Sequence, residues 1–314
     1  MDQKKLIRLL SCLLVATWSV PACGPIAPAA QPTGGSTLAV LATETFLADI
    51  AQNVAGDRLK VTSLLPIGTD PHSFEPTPQD VAKVTASQVL IVNGGGIEGY
   101  LSKLLENAGG QRQVIVASAG LTSRTPGPGE VPDTNHPDGD PHFWLDPVMV
   151  IKYVEAIRAG LSQADPAGAA IYAKNAEAYS AQLKVLDVWI AAQVQSIPPE
   201  RRLLVTNHES LGYYADRYGF KIIGAVVPSF STDASPSAQQ LAQLVDHIKA
   251  TGARAVFLET GSNLQLAQQV AQETGIQVVA DLYTESISPA GGPASSYIEM
   301  MRYNTRAIVD ALKP

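Results

Sequence analysis

From residue 37 onward the chain alternates short apolar runs with longer stretches in which apolar residues recur every three or four positions. "TLAVLAT", "LKVTSLLP", "QVLIVNG" and "RQVIVAS" read as buried strands, rich in Val, Ile and Leu. Between them, "ETFLADIAQNVAG", "TPQDVAKVTAS" and "IEGYLSKLLENAG" carry the helical period. A second series begins near residue 202. Its strands lie in "RLLVTNH", "FKIIGAVVP", "RAVFLET" and "IQVVADLY", and its helices in "ESLGYYADRYG", "SAQQLAQLVDHIKATG", "LQLAQQVAQETG" and "ASSYIEMMRYNTRAIVDAL". Strand–helix alternation of this kind gives parallel sheets with crossover helices. The pattern predicts two α/β lobes, each a mainly parallel sheet with flanking helices.

One stretch departs from the alternation. From Pro166 to Ile197 the chain has one early glycine, no internal proline, and apolar positions Ile171, Ala178, Leu183, Leu186, Ile190 and Val194 at roughly helical spacing. Some 30 residues at ~1.5 Å rise make a rod of about 45 Å. A single helix of that length joining two lobes is a stiff connection. The expected division is therefore a first lobe over 37–165, a linking helix over 166–197 and a second lobe over 198–314. Residues 121–141, "LTSRTPGPGEVPDTNHPDGDP", are a proline- and acid-rich loop, long enough to suggest function or mobility.

The start of the chain reads differently. Lys4, Lys5 and Arg8 precede the apolar "LLSCLLVATWSV", too short for a spanning helix and typical of a secretory signal over residues 1–22. It ends at Val20-Pro21-Ala22-Cys23, which resembles the lipobox of bacterial lipoproteins, with Cys23 as the lipidated first residue of the exported chain. The Pro- and Gly-rich residues 23–36 then form a flexible tether to the membrane. Cys12 lies in the removed segment, so no internal disulfide is expected and stability must come from the core. Residues 1–22 carry a net +2, so the exported chain is more acidic than the −7 of the full sequence. Nucleic acid is thereby excluded as a partner, since its phosphates need a basic face.

Histidine is scarce: His72, His136, His142, His208 and His247 are the whole set. Two of them share a context, "DPHSFEP" and "DPHFWLDP". Proline before each histidine stiffens the backbone and helps to set its direction. His72 follows the strand "VTSLL", His208 follows "LLVTN", and the strand "QVVA" leads to Asp281 and Glu285. Polar residues just past the carboxyl ends of parallel strands are where open α/β sheets place ligands. Three imidazoles and a carboxylate form a donor set that zinc accepts. His247 reads as a surface residue near a helix end, and His136 as a loop residue whose acidic neighbours give it at most an auxiliary part in metal collection.

Two motifs fail on inspection. Gly94, Gly96 and Gly99 match G-x-G-x-x-G, but the acidic residue that should follow about 20 positions on to hold a ribose is missing. "NHESLGYY" opens like the zinc-protease H-E-x-x-H, yet its fifth position is Gly212.

"GTDPHSFEPTPQDV", "NGGGIEGYL", "DPHFWLDP", "TNHESLGYYADRYGF", "ASPSAQQLAQLVDHIK" and "YTESISPAGGPASSYIEMMRYN", taken together and in order, resemble the zinc- and manganese-binding solute-binding lipoproteins of bacterial ABC transporters, the ZnuA/TroA-like group. The resemblance covers nearly all of the exported chain. It implies two α/β lobes bridged by a long helix, with one metal ion buried in the cleft. By position it implies His72, His142 and His208 as ligands and Glu285 as the fourth, where the group more commonly has aspartate. Asp281 is the weaker candidate for that place. The histidine-rich loop of many zinc members is here reduced to "PDTNHPDGDPH".

The resulting expectation is a monomeric, lipid-anchored receptor on the outer face of the cytoplasmic membrane that captures Zn²⁺ and delivers it to an ABC permease. Three histidines favour zinc, with Mn²⁺ the alternative. The rival is a zinc metallohydrolase, which needs an open position for water and a general base. Four protein ligands close the shell, and Glu209 is the only adjacent acid, so no enzymatic activity is expected.

Overall fold

The structure, a computed structural model, describes residues 38–127, 130, 136, 138–262 and 264–314. The expected signal segment, Cys23 and the tether lie outside the described residues. Two four-stranded sheets organise the chain. The first contains β1 (Val40–Ala42), β2 (Val61–Ser63), β3 (Val89–Val92) and β4 (Gln113–Val116) in the order β2-β1-β3-β4. The second contains β5 (Leu203–Thr206), β6 (Lys221–Ala225), β7 (Ala255–Glu259) and β8 (Gln277–Leu282) in the order β6-β5-β7-β8. Every pairing is parallel, with Val89 opposite Val40 in the first sheet and Val205 opposite Val256 in the second. Both sheets thus repeat one topology, in which the chain steps outward once and then crosses to the other side of its starting strand.

Helices α1 (Thr45–Ala55), α2 (Pro78–Ala86) and α3 (Leu101–Ala108) cover the first sheet, and α6 (Gly212–Tyr218), α7 (Ala238–Thr251), α8 (Leu264–Thr274) and α9 (Tyr297–Leu312) belong to the second half. Their starts are set by local chemistry. Thr77 caps α2 in a reciprocal pair with Asp80, followed by Pro78 in the first turn, and Ser237 caps α7 with Gln240 in the same way.

The predicted linking helix is present as α5, Ala169–Val194, shorter at both ends than the proline-to-isoleucine span. Its buried stripe differs from the one read off the sequence. Leu183, Leu186, Ile190 and Val194 face inward, but Ile171 and Ala178 face solvent, and Tyr172, Ala176 and Tyr179 take the stripe through the first half. An 18-residue helix, α4 (Pro147–Ala164), packs along it and is absent from the elements predicted above. Asp146 caps α4 by accepting the Val148 N–H at 2.8 Å, again with proline in the first turn.

Alternate strand residues serve two different interiors. Val40, Ala42, Val89 and Ile91 of the first sheet, with Leu204, Ala255 and Phe257 of the second, enter one continuous core shared with α1, α4, α5 and α9. Leu41, Leu90 and Val92 point the other way, into a small cluster under α2 and α3. Val205, Val256 and Leu258 do the same under α7 and α8. The period of two along each strand therefore joins the halves on one face and separates them on the other.

Candidate metal centre

Four side chains converge where the strands end. His72 lies in the loop after β2, and His142 at the end of the long loop after β4, where a short 3₁₀ turn (Phe143–Leu145) leads into α4. His208 stands two residues past β5, and Glu285 three past β8. One ligand atom from each falls within 4.8 Å of all the others. His72 Nε2 is 3.1 Å from Glu285 Oε1, and His208 Nε2 is 3.2 Å from that oxygen and 3.2 Å from His142 Nε2. His142 Nε2 to Glu285 Oε1 is the long edge, at 4.0 Å. Four donors at about 2.0–2.1 Å from a tetrahedral ion sit roughly 3.3 Å apart, so these spacings fit a cation at the centre.

The side chains of His142 and His208 are fully buried, and that of His72 is 2% exposed. His72 Nε2 and Glu285 Oε1, both buried, lie 3.1 Å apart without reaching hydrogen-bond geometry with each other or with any other group. Buried polar atoms left unpaired cost about 1–3 kcal/mol each. Ring nitrogens and a carboxylate oxygen that converge on one point without good hydrogen bonds are what a metal ion would satisfy.

The Asp-Pro-His repeat has a structural meaning beyond proline stiffness. In each copy the aspartate accepts the histidine's backbone N–H, Asp70 from His72 at 2.8 Å and Asp140 from His142 at 3.0 Å. The two aspartates then diverge. Asp140 Oδ1 also meets His142 Nδ1 at 2.8 Å, while Asp70 turns its other oxygen to the Thr232 hydroxyl of the second half. His208 Nδ1 is 2.8 Å from Glu259 Oε1, and Glu259 is itself held by the Ser210 hydroxyl at 2.9 Å. His142 thus meets a carboxylate in hydrogen-bond geometry on the nitrogen away from the centre, and His208 has one within ion-pair distance there, an arrangement that turns each Nε2 inward. The sequence shows Asp140 only as part of the repeat and as one of the loop acids near His136, not as the partner of the His142 ring, and Glu259 is absent from that reading. Their signals are present there: an acid two residues before His142, and an acid at the carboxyl end of a buried strand.

Charge at the centre is arranged around these pairs. Burial, with the imidazoles of His208 and His72 nearby, holds His142 well below its usual pKa. Burial opposes the charged form of His208 too, but Glu259 and Glu285 outweigh it and hold that pKa well above the ordinary value. Burial would raise Glu285, yet His72 and His208 bring it well below the carboxylate range. Burial lifts Asp140 to about 7 against the His142 N–H and the Arg124 guanidinium. Arg124 lies 3.7 Å from Asp140 and pairs with Glu130 and Asp216. Beside the cluster a cavity of about 270 Å³ is lined by Asp70, Asp233, Glu259 and Glu285, an acidic approach suited to a cation.

The remaining residues named from the sequence lie apart from this group. The His136 ring faces Phe230 at 6.0 Å, His247 is exposed on α7, and Asp281 is exposed with a positive φ of 69°. The G-x-G-x-x-G stretch is a tight turn closed on itself, with Glu98 accepting the N–H groups of Asn93 and Gly94 and the Ile97 carbonyl that of Gly99. A Cβ on Gly94 would lie 2.6 Å from Val116 and 2.8 Å from Ser118, so glycine is required there for packing. At Gly212, where H-E-x-x-H needs its second histidine, a Cβ would lie 2.3 Å from the Arg124 guanidinium.

Paired parallel sheets, a long helix joining the two halves and a buried three-histidine, one-carboxylate cluster at the strand ends define a class: the substrate-binding component of a metal ABC transporter, a binding protein and not an enzyme. The chain belongs to the family described as "Zinc-uptake complex component A periplasmic", which matches residues 40–311. It is 35% identical over 287 residues to the manganese-binding lipoprotein MntA of Halalkalibacterium halodurans, covering 90% of this chain and 92% of the relative. Among solved structures it resembles the periplasmic zinc-binding protein TroA of Treponema pallidum, with a TM-score of 0.80, 26% identity, and coverage of 89% and 100%. It also resembles the Mn-bound periplasmic metal-binding protein of Candidatus Liberibacter asiaticus, with a TM-score of 0.78, 28% identity, and coverage of 88% and 99%.

Proposed function

We propose that this protein captures Zn²⁺ outside the cytoplasmic membrane, through His72, His142, His208 and Glu285, and delivers it to an ABC permease. The observation that carries the reading is the convergence of three imidazole nitrogens and one carboxylate oxygen at near-tetrahedral spacing. Imidazole suits a borderline ion, whereas manganese prefers more oxygen donors. The protein is a monomer anchored through a lipid on Cys23, with residues 23–36 as tether. Its lobes, 37–165 and 198–314, are joined by 166–197, and ion release follows when the permease draws them apart. Among the described residues no helix is long and apolar enough to cross a membrane.

A second reading has its own support. The 35%-identical relative is named for manganese, and Glu285 carries a second oxygen that a larger, oxygen-seeking ion would recruit. Metal analysis of protein purified without added metal, followed by competition between Zn²⁺ and Mn²⁺, decides between them. Preferential retention of manganese in that competition would replace the zinc reading.

A further inference from the structure

Glu285 is a second-half residue, but the groups that hold its loop come largely from the first half. On its amino side, the Thr284 carbonyl accepts the Trp144 indole N–H at 2.6 Å. On its carboxyl side, Ser286 Oγ accepts the Gly68 N–H at 2.8 Å and lies 3.1 Å from Thr45 Oγ1. Thr45 Oγ1 in turn accepts the Ile287 N–H at 3.1 Å. Its own half holds the loop further out, at Tyr283, whose N–H and carbonyl both meet Asn304 of α9, and at Ser288, whose N–H donates to the Ala294 carbonyl at 2.8 Å. His208 contrasts with this, because the acid behind it, Glu259, belongs to its own sheet.

The hydroxyl pair closes without a missing proton. Ser286 donates to the Ile287 carbonyl at 3.0 Å, Thr45 donates to Ser286, and each oxygen also accepts one backbone N–H. Both residues are nearly buried, Thr45 at 6% and Ser286 at 4% exposed, so water cannot readily replace either partner. A glutamate has one more rotatable bond than an aspartate, and more freedom is lost when its carboxylate is fixed. The backbone that carries it must then be well placed for one oxygen to face three nitrogens at once.

We infer that Thr45 and Ser286 are positioning residues for the metal: their hydroxyl pair, with the Gly68 N–H, ties the Glu285 loop to the first half and sets where its carboxylate meets the ion. The inference rests on the proposed metal-binding function. Two hydroxyls that touch no ligand atom thus become part of the affinity.

The test is a thermodynamic cycle read by calorimetry on the full exported chain, with Zn²⁺ as probe, or Mn²⁺ if the wild type prefers it. Thr45→Val and Ser286→Ala each delete the pair from one side and are expected to weaken binding about tenfold. Thr45→Ser keeps the hydroxyl and should stay near the wild type. In a Glu285→Ala background, Thr45→Val should cause no further loss, because the effect runs through the carboxylate. A loss that persists in that background, or full affinity in both Thr45→Val and Ser286→Ala, overturns the inference. Should one variant fail to fold, the other reports on the same bond. A wild-type protein that takes up neither ion would instead sink the functional proposal itself.

Discussion

His208 Nε2 stands 3.2 Å from His142 Nε2 and 3.2 Å from Glu285 Oε1, so one nitrogen faces ligand atoms carried by both halves of the chain. Replacing His72, His142 or His208 by Ala should each weaken metal binding by more than about tenfold, since the ion loses a donor it cannot replace from solvent at a buried point. His136→Ala and His247→Ala should leave affinity unchanged. Glu285→Ala should cost more than Asp281→Ala, whose side chain is exposed. Titration calorimetry checks the series, and a His136→Ala variant as weak as His142→Ala would mean that the four ligands are misassigned.

The carboxylates behind the histidines offer a separate test. Asp140→Asn and Glu259→Gln keep the shape but remove the charge that fixes each ring. Affinity should fall roughly 10–100-fold in either case. Unchanged affinity in both would show that the rings are aimed by packing alone.

Protons compete with the ion for the same nitrogens. An imidazole titrates near pH 6.5 when unperturbed, and against burial Glu259 and Glu285 hold His208 above its usual value. Metal uptake near neutral pH should therefore release a proton, and affinity should fall steeply below about pH 6. Saturation at ~1,000 times the dissociation constant should add about 4 kcal/mol of stability, visible as a higher melting temperature at pH 7.5 and much reduced at pH 5.5. An equal shift at both pH values would argue against a three-histidine site.

Far from the metal, Asp165 carries a different pH signature. Arg58 meets its two oxygens at 2.8 and 2.9 Å and the Tyr172 hydroxyl donates to it at 2.6 Å, tying the α4–α5 turn to the segment after α1. The Arg58 contact, against a smaller effect of burial, lowers this carboxyl to about 2. A pKa depressed in the folded chain gives stability that is present above the unfolded value near 4 and is lost as pH falls toward 2. Asp165→Asn should flatten the acid limb of a melting-temperature profile between those values and lower the plateau above it. A variant profile parallel to the wild type would remove Asp165 from the account.

Much of this architecture can be read from the residues because parallel strands are buried on both faces and appear as unbroken apolar runs. The α5 stripe was harder. Tyr172 and Tyr179 are amphipathic, and the more apolar Ile171 draws the eye to the wrong face, while packing against α4 decides the matter. The α4 helix is marked only by Asp146-Pro147 and a moderate apolar period beside a long loop. At the centre, the ligand residues show through scarcity and repeated context. Asp140 shows in the same repeat but not its part, and Glu259 does not show at all, because acids are common and only the distance to a ring nitrogen gives them meaning. The ties from Thr45 and Gly68 to the Glu285 loop join residues more than 200 positions apart, which no local pattern encodes.

The division of each strand between a shared interior and a private one has an evolutionary reading. Leu204 and Phe257 lie in the same core as Val40 and Ile91, so a chain cut after residue 165 would bare apolar faces on both fragments. Neither half closes its apolar interior without the other. His72, His142, His208 and Glu285 lie beyond the strand ends and outside that apolar core. Lineages can exchange one ligand for another there, and so change cargo, without rebuilding the body that carries it.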